Sequence, residues 1–173
     1  MQKAAFAFVV IAAFICGGIS GGVMTKTWST PAQAESNDED KSDGHLTVQT
    51  LNIDVPLYKT DILYDPDGAQ EIVDRENAAA YFIYDGVQVI ANHNSQGFAV
   101  LDYAVPGIEA ELVLDGETSY WSCISVKEGH NKEEDIVDED GISISEFGKD
   151  RLVLYTCKDG WEDITITVWE KEA

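Results

Sequence analysis

Basic side chains are scarce in this chain. Its 173 residues include 11 Lys and Arg against 32 Asp and Glu, a formal net charge of -21. A phosphate-binding surface needs a cationic face, and so negative a field repels nucleic acid and anionic headgroups alike. Nucleic-acid binding and attachment through a basic membrane-facing surface are therefore set aside. Cysteine is sparse too, with three in all, and neither a zinc-ligand spacing nor a phosphate-cradling glycine loop occurs. No internal repeat is present, and only one apolar run is long enough to span a bilayer. What the chain does have is 45% hydrophobic and 10% aromatic residues, enough to bury a core and to exclude disorder for most of its length. One domain is expected.

The single long apolar run is residues 4–24, uncharged and preceded by Lys3. As a helix it would reach about 30 Å, the thickness of a bilayer core. Two readings stand side by side for residues 1–34. Ala32-Gln33-Ala34 has the small-residue pattern of a signal-peptidase site, whereas the length of the run suits a retained membrane anchor. Cys16 follows Ala13-Phe14-Ile15, bulky for a lipidation box, and is a weak lipidation candidate. Both readings put the rest of the chain outside the cytoplasm, because Lys3 favours an inside amino terminus, and both limit membrane contact to this segment. Residues 35–44 are polar and acidic and read as a tether, leaving 45–173 as the folded domain. Residues 35–173 hold 9 basic and 32 acidic groups, a balance of -23, so the charge belongs to the exported body.

That body is a succession of short runs rich in β-branched and aromatic residues: 45–49, 51–58, 87–91, 108–114, 119–126, 151–156 and 164–169. Asp67-Gly68, Asp85-Gly86, Asp115-Gly116 and Asp140-Gly141 mark turns, with Asp115-Gly116 the best hairpin signal. Only residues 70–80 read as a helix, and 96–104 as a turn or two. The run 151–157 is uniformly apolar, as in a strand buried on both faces, while in 164–169 Ile164, Ile166 and Val168 alternate with Thr165, Thr167 and Trp169. Seven or eight strands with one or two short helices, behind the N-terminal apolar segment, predict a mostly β protein built as a closed barrel.

Cys157 ends the run RLVLYTC, and His93 follows the run VQVIA. Each sits at the carboxyl end of a predicted strand. Nucleophilic thiol chemistry needs a thiol, a histidine to exchange protons and donors for the oxyanion. His45, at the tether boundary, and His130, beside an acidic run, read as solvated. Cys123, in YWSCISV, reads as a core residue or as a disulfide partner of Cys157.

These segments together resemble the sortases, the cysteine transpeptidases of Gram-positive cell surfaces. The likeness spans about residues 46–170. LNIDVPLY looks like the family's opening strand, VQVIANHNSQGFAVLDYAVPG like its histidine segment, and RLVLYTC like its cysteine strand, with Leu154, Thr156 and Cys157 in the matching places. The resemblance implies a closed sortase-like β-barrel of about eight strands, Cys157 as nucleophile, His93 as general acid and base, and Thr156 beside the nucleophile. It implies two partners, a surface-protein sorting-signal peptide and an acceptor amine, joined through an acyl-enzyme. Val153 and Asn92 stand where the family usually has threonine and glycine. Sortases also carry an arginine on the last strand, and no arginine follows Cys157 here. Of the body's two arginines, Arg151 reads as a surface charge, and Arg75, which could reach the site from the helical insertion, reads first as part of a helix-surface ion pair. A non-catalytic sortase-fold module serving in surface binding is therefore the alternative. So is an unrelated exported β domain closed by a Cys123–Cys157 bridge.

No cofactor is expected. Residues 133–140 hold six acids in eight positions, and some sortases use calcium between loops. The spacing is not that of an EF-hand, since Ile136 would fall at the first ligand and Phe147 at the last. A solvated, self-repelling loop is the expectation, with calcium as its alternative.

Overall fold

The computed structural model describes residues 41–62, 65, 67–132, 135–158 and 162–173. The apolar segment at 1–34 and most of the tether lie outside the described residues, and among those described no helix is long and apolar enough to cross a membrane.

Nine strands form one sheet: β1 (Gly44–Val48), β2 (Ile53–Lys59), β3 (Ala79–Tyr84), β4 (Val87–Ala91), β5 (Glu109–Leu114), β6 (Glu117–Lys132), β7 (Asp135–Asp138), β8 (Arg151–Cys157) and β9 (Asp163–Lys171). Their order is β5-β1-β2-β3-β4-β8-β9-β6-β7, and β5 also pairs with β6. That last pairing closes eight strands into a barrel and leaves β7 as a flap on the far half of β6. The pairs β2–β3 and β4–β8 are parallel and the others antiparallel, so the closed barrel expected from the strand count is a mixed one. Asp115-Gly116 makes the β5–β6 hairpin and Asp85-Gly86 the β3–β4 hairpin, with φ of 53° and 82°, and 52° and 90°, respectively. Two successive left-handed residues are what a two-residue type I′ turn requires.

The apolar residues sort into two cores. One draws on all eight barrel strands and so fills the interior, with Leu46, Val55, Ile90, Leu112, Trp121, Leu154 and Trp169 among its members. The second lies on the outer face of β3, β4, β8 and β9, where Phe82, Val89, Val153, Ile164 and Ile166 are covered by Ile72 and Val73 of the helix α1 (Gly68–Val73) and by Ile144. Strands β4 and β8 are thus buried on both faces, which is why RLVLYTC shows no alternation.

Two expectations need correction. The helix predicted over 70–80 ends at Val73. Asn77 takes a left-handed φ of 54°, and Ala79 and Ala80, good helix formers, instead pair with Leu57 and Ala91 in β3 and are fully buried. Burial in a barrel wall outweighs an intrinsic preference of a few tenths of a kcal/mol per residue. Nor do all the described acids of 133–140 form a solvated loop, although Glu139 and Asp140 are exposed in the turn after β7. Asp135 and Asp138 bound strand β7, and Asp138 is fully buried. Asp138 Oδ2 accepts from Lys127 Nζ at 2.5 Å, and its Oδ1 from the backbone N–H of Asp140 (3.0 Å) and Ile142 (2.9 Å). Asp135 Oδ1 accepts from Tyr84 and Ser143 hydroxyls. These oxygens of Asp135 and Asp138 are taken up by protein donors, and among the described residues no group of three or more His, Cys, Asp or Glu is placed to hold a metal, while Glu133 and Glu134 of the run lie outside the described residues.

Burial pushes the Asp138 carboxyl up, but the Lys127 hydrogen bond and the Ile142 and Asp140 amides outweigh it and hold it below the usual carboxylate range. The stabilisation is therefore present above the unfolded-state value near pH 4 and is lost as pH falls through the lower folded value. Asp138→Ala is expected to cost about 2 to 3 kcal/mol at neutral pH, the loss of charge-assisted hydrogen bonds partly screened at the lysine. Urea denaturation should show that gap narrowing below about pH 4.

Candidate functional site

The parallel β4–β8 ladder sets the site. Ala91 lies level with Tyr155 in it, so two further residues bring His93 level with Cys157. The ladder continues past its formal end, because Asn92 N–H donates to the Tyr155 carbonyl at 3.4 Å and the buried Thr156 hydroxyl donates to the Asn92 carbonyl at 2.8 Å. Neighbouring strands run about 4.8 Å apart. Alternation decides the face. Leu152 and Leu154 point into the barrel, whereas Val153, Tyr155 and Cys157 belong to the outer core, as do Val89 and Ala91 on β4. Cys157 and the position of His93 therefore share one face at one end of the barrel.

The side chains show what holds each group. The His93 ring is mostly buried, and its Nε2 lies 3.0 Å from Oδ1 of Asp74, the residue that ends α1. Its backbone N–H donates to Asn92 Oδ1 at 2.6 Å. Cys157 is half-buried against the outer core, and burial pushes its thiol up from the ordinary value. At neutral pH the sulfur therefore carries its proton and needs a base before it can act as a nucleophile.

No arginine follows Cys157 in the sequence. Cys157 lies level with Ile164 of β9, which is fully buried. The nearby cations are engaged elsewhere: Lys158 Nζ with Glu128 at 2.8 Å, Arg151 with Glu170 at 3.3 Å at the opposite end of β8, and Arg75 over the Tyr58 ring at 5.2 Å. Thr165, the inward neighbour of Ile164, donates to Asp102.

The other candidates separate cleanly. His45 and His130 are exposed and paired with Asp54 and Asp163. Cys123 is buried on β6, where its thiol, pushed up to about 11 by burial, donates to the Ser125 carbonyl at 3.6 Å. Both body cysteines are free. Cys157 is level with Ile164 and Cys123 with Trp169, on opposite flanks of β9. Two strand spacings and five residues separate them by on the order of 19 Å, far beyond the roughly 7 Å a disulfide spans. The bridged-domain reading therefore falls.

Sequence reasoning missed Asp74. Its neighbour Arg75 drew attention as a cation, but nothing in the sequence ties residue 74 to residue 93 across 19 positions.

No family model matches the chain, and no curated protein matches it either. Solved structures do. Sortase C from Clostridium perfringens SM101 is 16% identical with a TM-score of 0.56, over 78% of this chain and 72% of that one. Sortase C1 of Streptococcus agalactiae is 17% identical with a TM-score of 0.56, over 75% and 66%. Clostridium perfringens sortase C with its C-terminal cell wall sorting motif is 13% identical with a TM-score of 0.57, over 77% and 71%. Identities this low carry a likeness of backbone architecture, and with the closed eight-strand mixed barrel they assign this chain a divergent sortase-like fold.

Proposed function

We propose that this chain is an extracytoplasmic, sortase-like cysteine transpeptidase, working at a Gram-positive-type cell surface. It would cleave a surface-protein sorting signal and pass the acyl group to an amine. The observation that carries this reading is the parallel β4–β8 ladder, which brings His93 and Cys157 level on one face of a sortase-like barrel. In this reading His93 takes the thiol proton and the Cys157 sulfur attacks the scissile carbonyl. His93 then returns the proton to the leaving amine, and a second amine resolves the thioester. The choice of peptide follows the neighbour solved with its C-terminal cell wall sorting motif. With Ile164 beside the nucleophile instead of a cation, one oxyanion donor is lost, which lowers the rate by roughly a hundredfold or more, about 3 kcal/mol.

That same Ile164 favours a second reading, a sortase-fold module that binds surface peptides without cleaving them. The two are told apart by incubating the protein with a library of C-terminal sorting peptides and following its intact mass. The transpeptidase gains a peptide thioester on Cys157 that hydroxylamine releases. Saturable peptide binding with no adduct at Cys157 sinks the enzyme and leaves the binding module.

A further inference from the structure

Among the described residues the cations flanking the site are engaged, Lys158 with Glu128 and Arg75 over the Tyr58 ring, and His93 lies level with Cys157 across the β4–β8 ladder, so whatever secures the His93 ring bears on the thiol. The ring has one hydrogen-bonding side-chain partner among the described residues, Asp74, with Nε2 3.0 Å from Oδ1. Asp74 is an unusual residue for its place. It follows the last turn of α1, where unpaired carbonyls favour a cation over a carboxylate. Its position is fixed by Gln70, whose Nε2 donates to the same Oδ1 at 2.6 Å, and by its own N–H, which donates to the Gln70 carbonyl at 3.0 Å. Beyond it the chain turns and enters β3, so the helix end is tied to the barrel wall.

From this geometry we infer that Asp74 is a positioning residue for His93, forming with it and Cys157 a Cys-His-Asp relay. Nε2–H of the neutral ring donates to the Asp74 carboxylate, which leaves the lone pair of Nδ1, the ring nitrogen nearer the backbone, for the thiol. When the Cys157 S–H bond breaks, its proton moves to Nδ1. The products are a thiolate and an imidazolium, and the Asp74 carboxylate balances the new positive charge while staying unprotonated. The other ionisable groups on the elements packed here include Glu71 and Arg75 beside Asp74, Tyr58 on β2, Tyr155 and Lys158 flanking Cys157, and, on the β9 side, Asp163 and the Asp102 that accepts from Thr165. Of these, Arg75 lies over the Tyr58 ring and Lys158 is paired with Glu128.

For its biological use the relay rests on the proposed cysteine chemistry, but its test needs no substrate. The readout is the rate at which iodoacetamide alkylates Cys157 in the folded protein as a function of pH, followed by peptide mass, with buried Cys123 in the same digest reporting fold integrity. Asp74→Asn should slow Cys157 alkylation at neutral pH about tenfold and move its midpoint up by about one pH unit. Asp74→Glu should recover most of the rate. In a His93→Ala background Asp74→Asn should have no further effect, because the carboxylate acts through the ring. An Asp74→Asn profile that superimposes on the wild type, or an equal effect with and without His93, overturns the inference. If the relay signature holds while no sorting peptide is cleaved, the transpeptidase reading fails and the relay stands.

Discussion

Cys157→Ala is expected to abolish peptide cleavage and thioester formation altogether, and His93→Ala to lower kcat by on the order of 10² to 10⁴. The size follows from the state of the thiol. Burial raises it and Ile164 offers it no charge, so little thiolate stands ready at neutral pH and turnover relies on the histidine. Neither change should disturb the fold by more than about 1 kcal/mol, since Cys157 ends its strand at the barrel rim and His93 lies beyond the end of β4. Kinetics with a cleaved sorting peptide, alongside urea denaturation of each variant, separates the two effects. Cleavage at the wild-type rate by Cys157→Ala would falsify the assignment of the nucleophile.

The sequence allowed both residues to be picked out because each ends an apolar run, and a strand end is where a rigid scaffold meets solvent. It did not show that the two runs are neighbours. His93 and Cys157 become level only through the parallel pairing of β4 with β8, a contact across more than sixty residues that leaves no local pattern. Asp74 was invisible for the same reason. It approaches His93 because α1 stops at Val73 and β3 begins at Ala79, whereas the helical reading of 70–80 ran straight through the turn that aims it.

Strand β9 shows how a correct pattern can mislead. Ile164, Ile166 and Val168 do alternate with Thr165, Thr167 and Trp169, and such alternation ordinarily marks one buried and one wet face. Here all six are buried, and the threonines point into the barrel. What makes their burial tolerable is pairing. The Thr167 hydroxyl donates to the Leu154 carbonyl at 3.3 Å and accepts from Trp169 Nε1 at 2.8 Å, while Thr165 donates to Asp102. Buried hydroxyls need such partners, and periodicity carries no record of them.

Trp169→Ala should therefore produce the largest loss of stability in the molecule. The indole is fully buried in the interior core, level with Leu152 on one neighbouring strand and Cys123 on the other. Its removal leaves a cavity that a closed ring of strands cannot collapse to fill, at a cost of about 3 to 5 kcal/mol out of a total of roughly 5 to 15. Thr167→Val isolates the polar part. It strands the indole N–H in the interior and should cost about 1 to 3 kcal/mol. Trp169→Phe removes that donor with much of the volume kept, so Thr167→Val should cost about 1 kcal/mol less in the Trp169→Phe protein than in the wild type. Urea denaturation followed by circular dichroism measures the four proteins of this cycle together with Trp169→Ala. Strict additivity of the two substitutions would mean that the Trp169–Thr167 hydrogen bond does not couple them, and that the buried threonine face of β9 is held by packing alone.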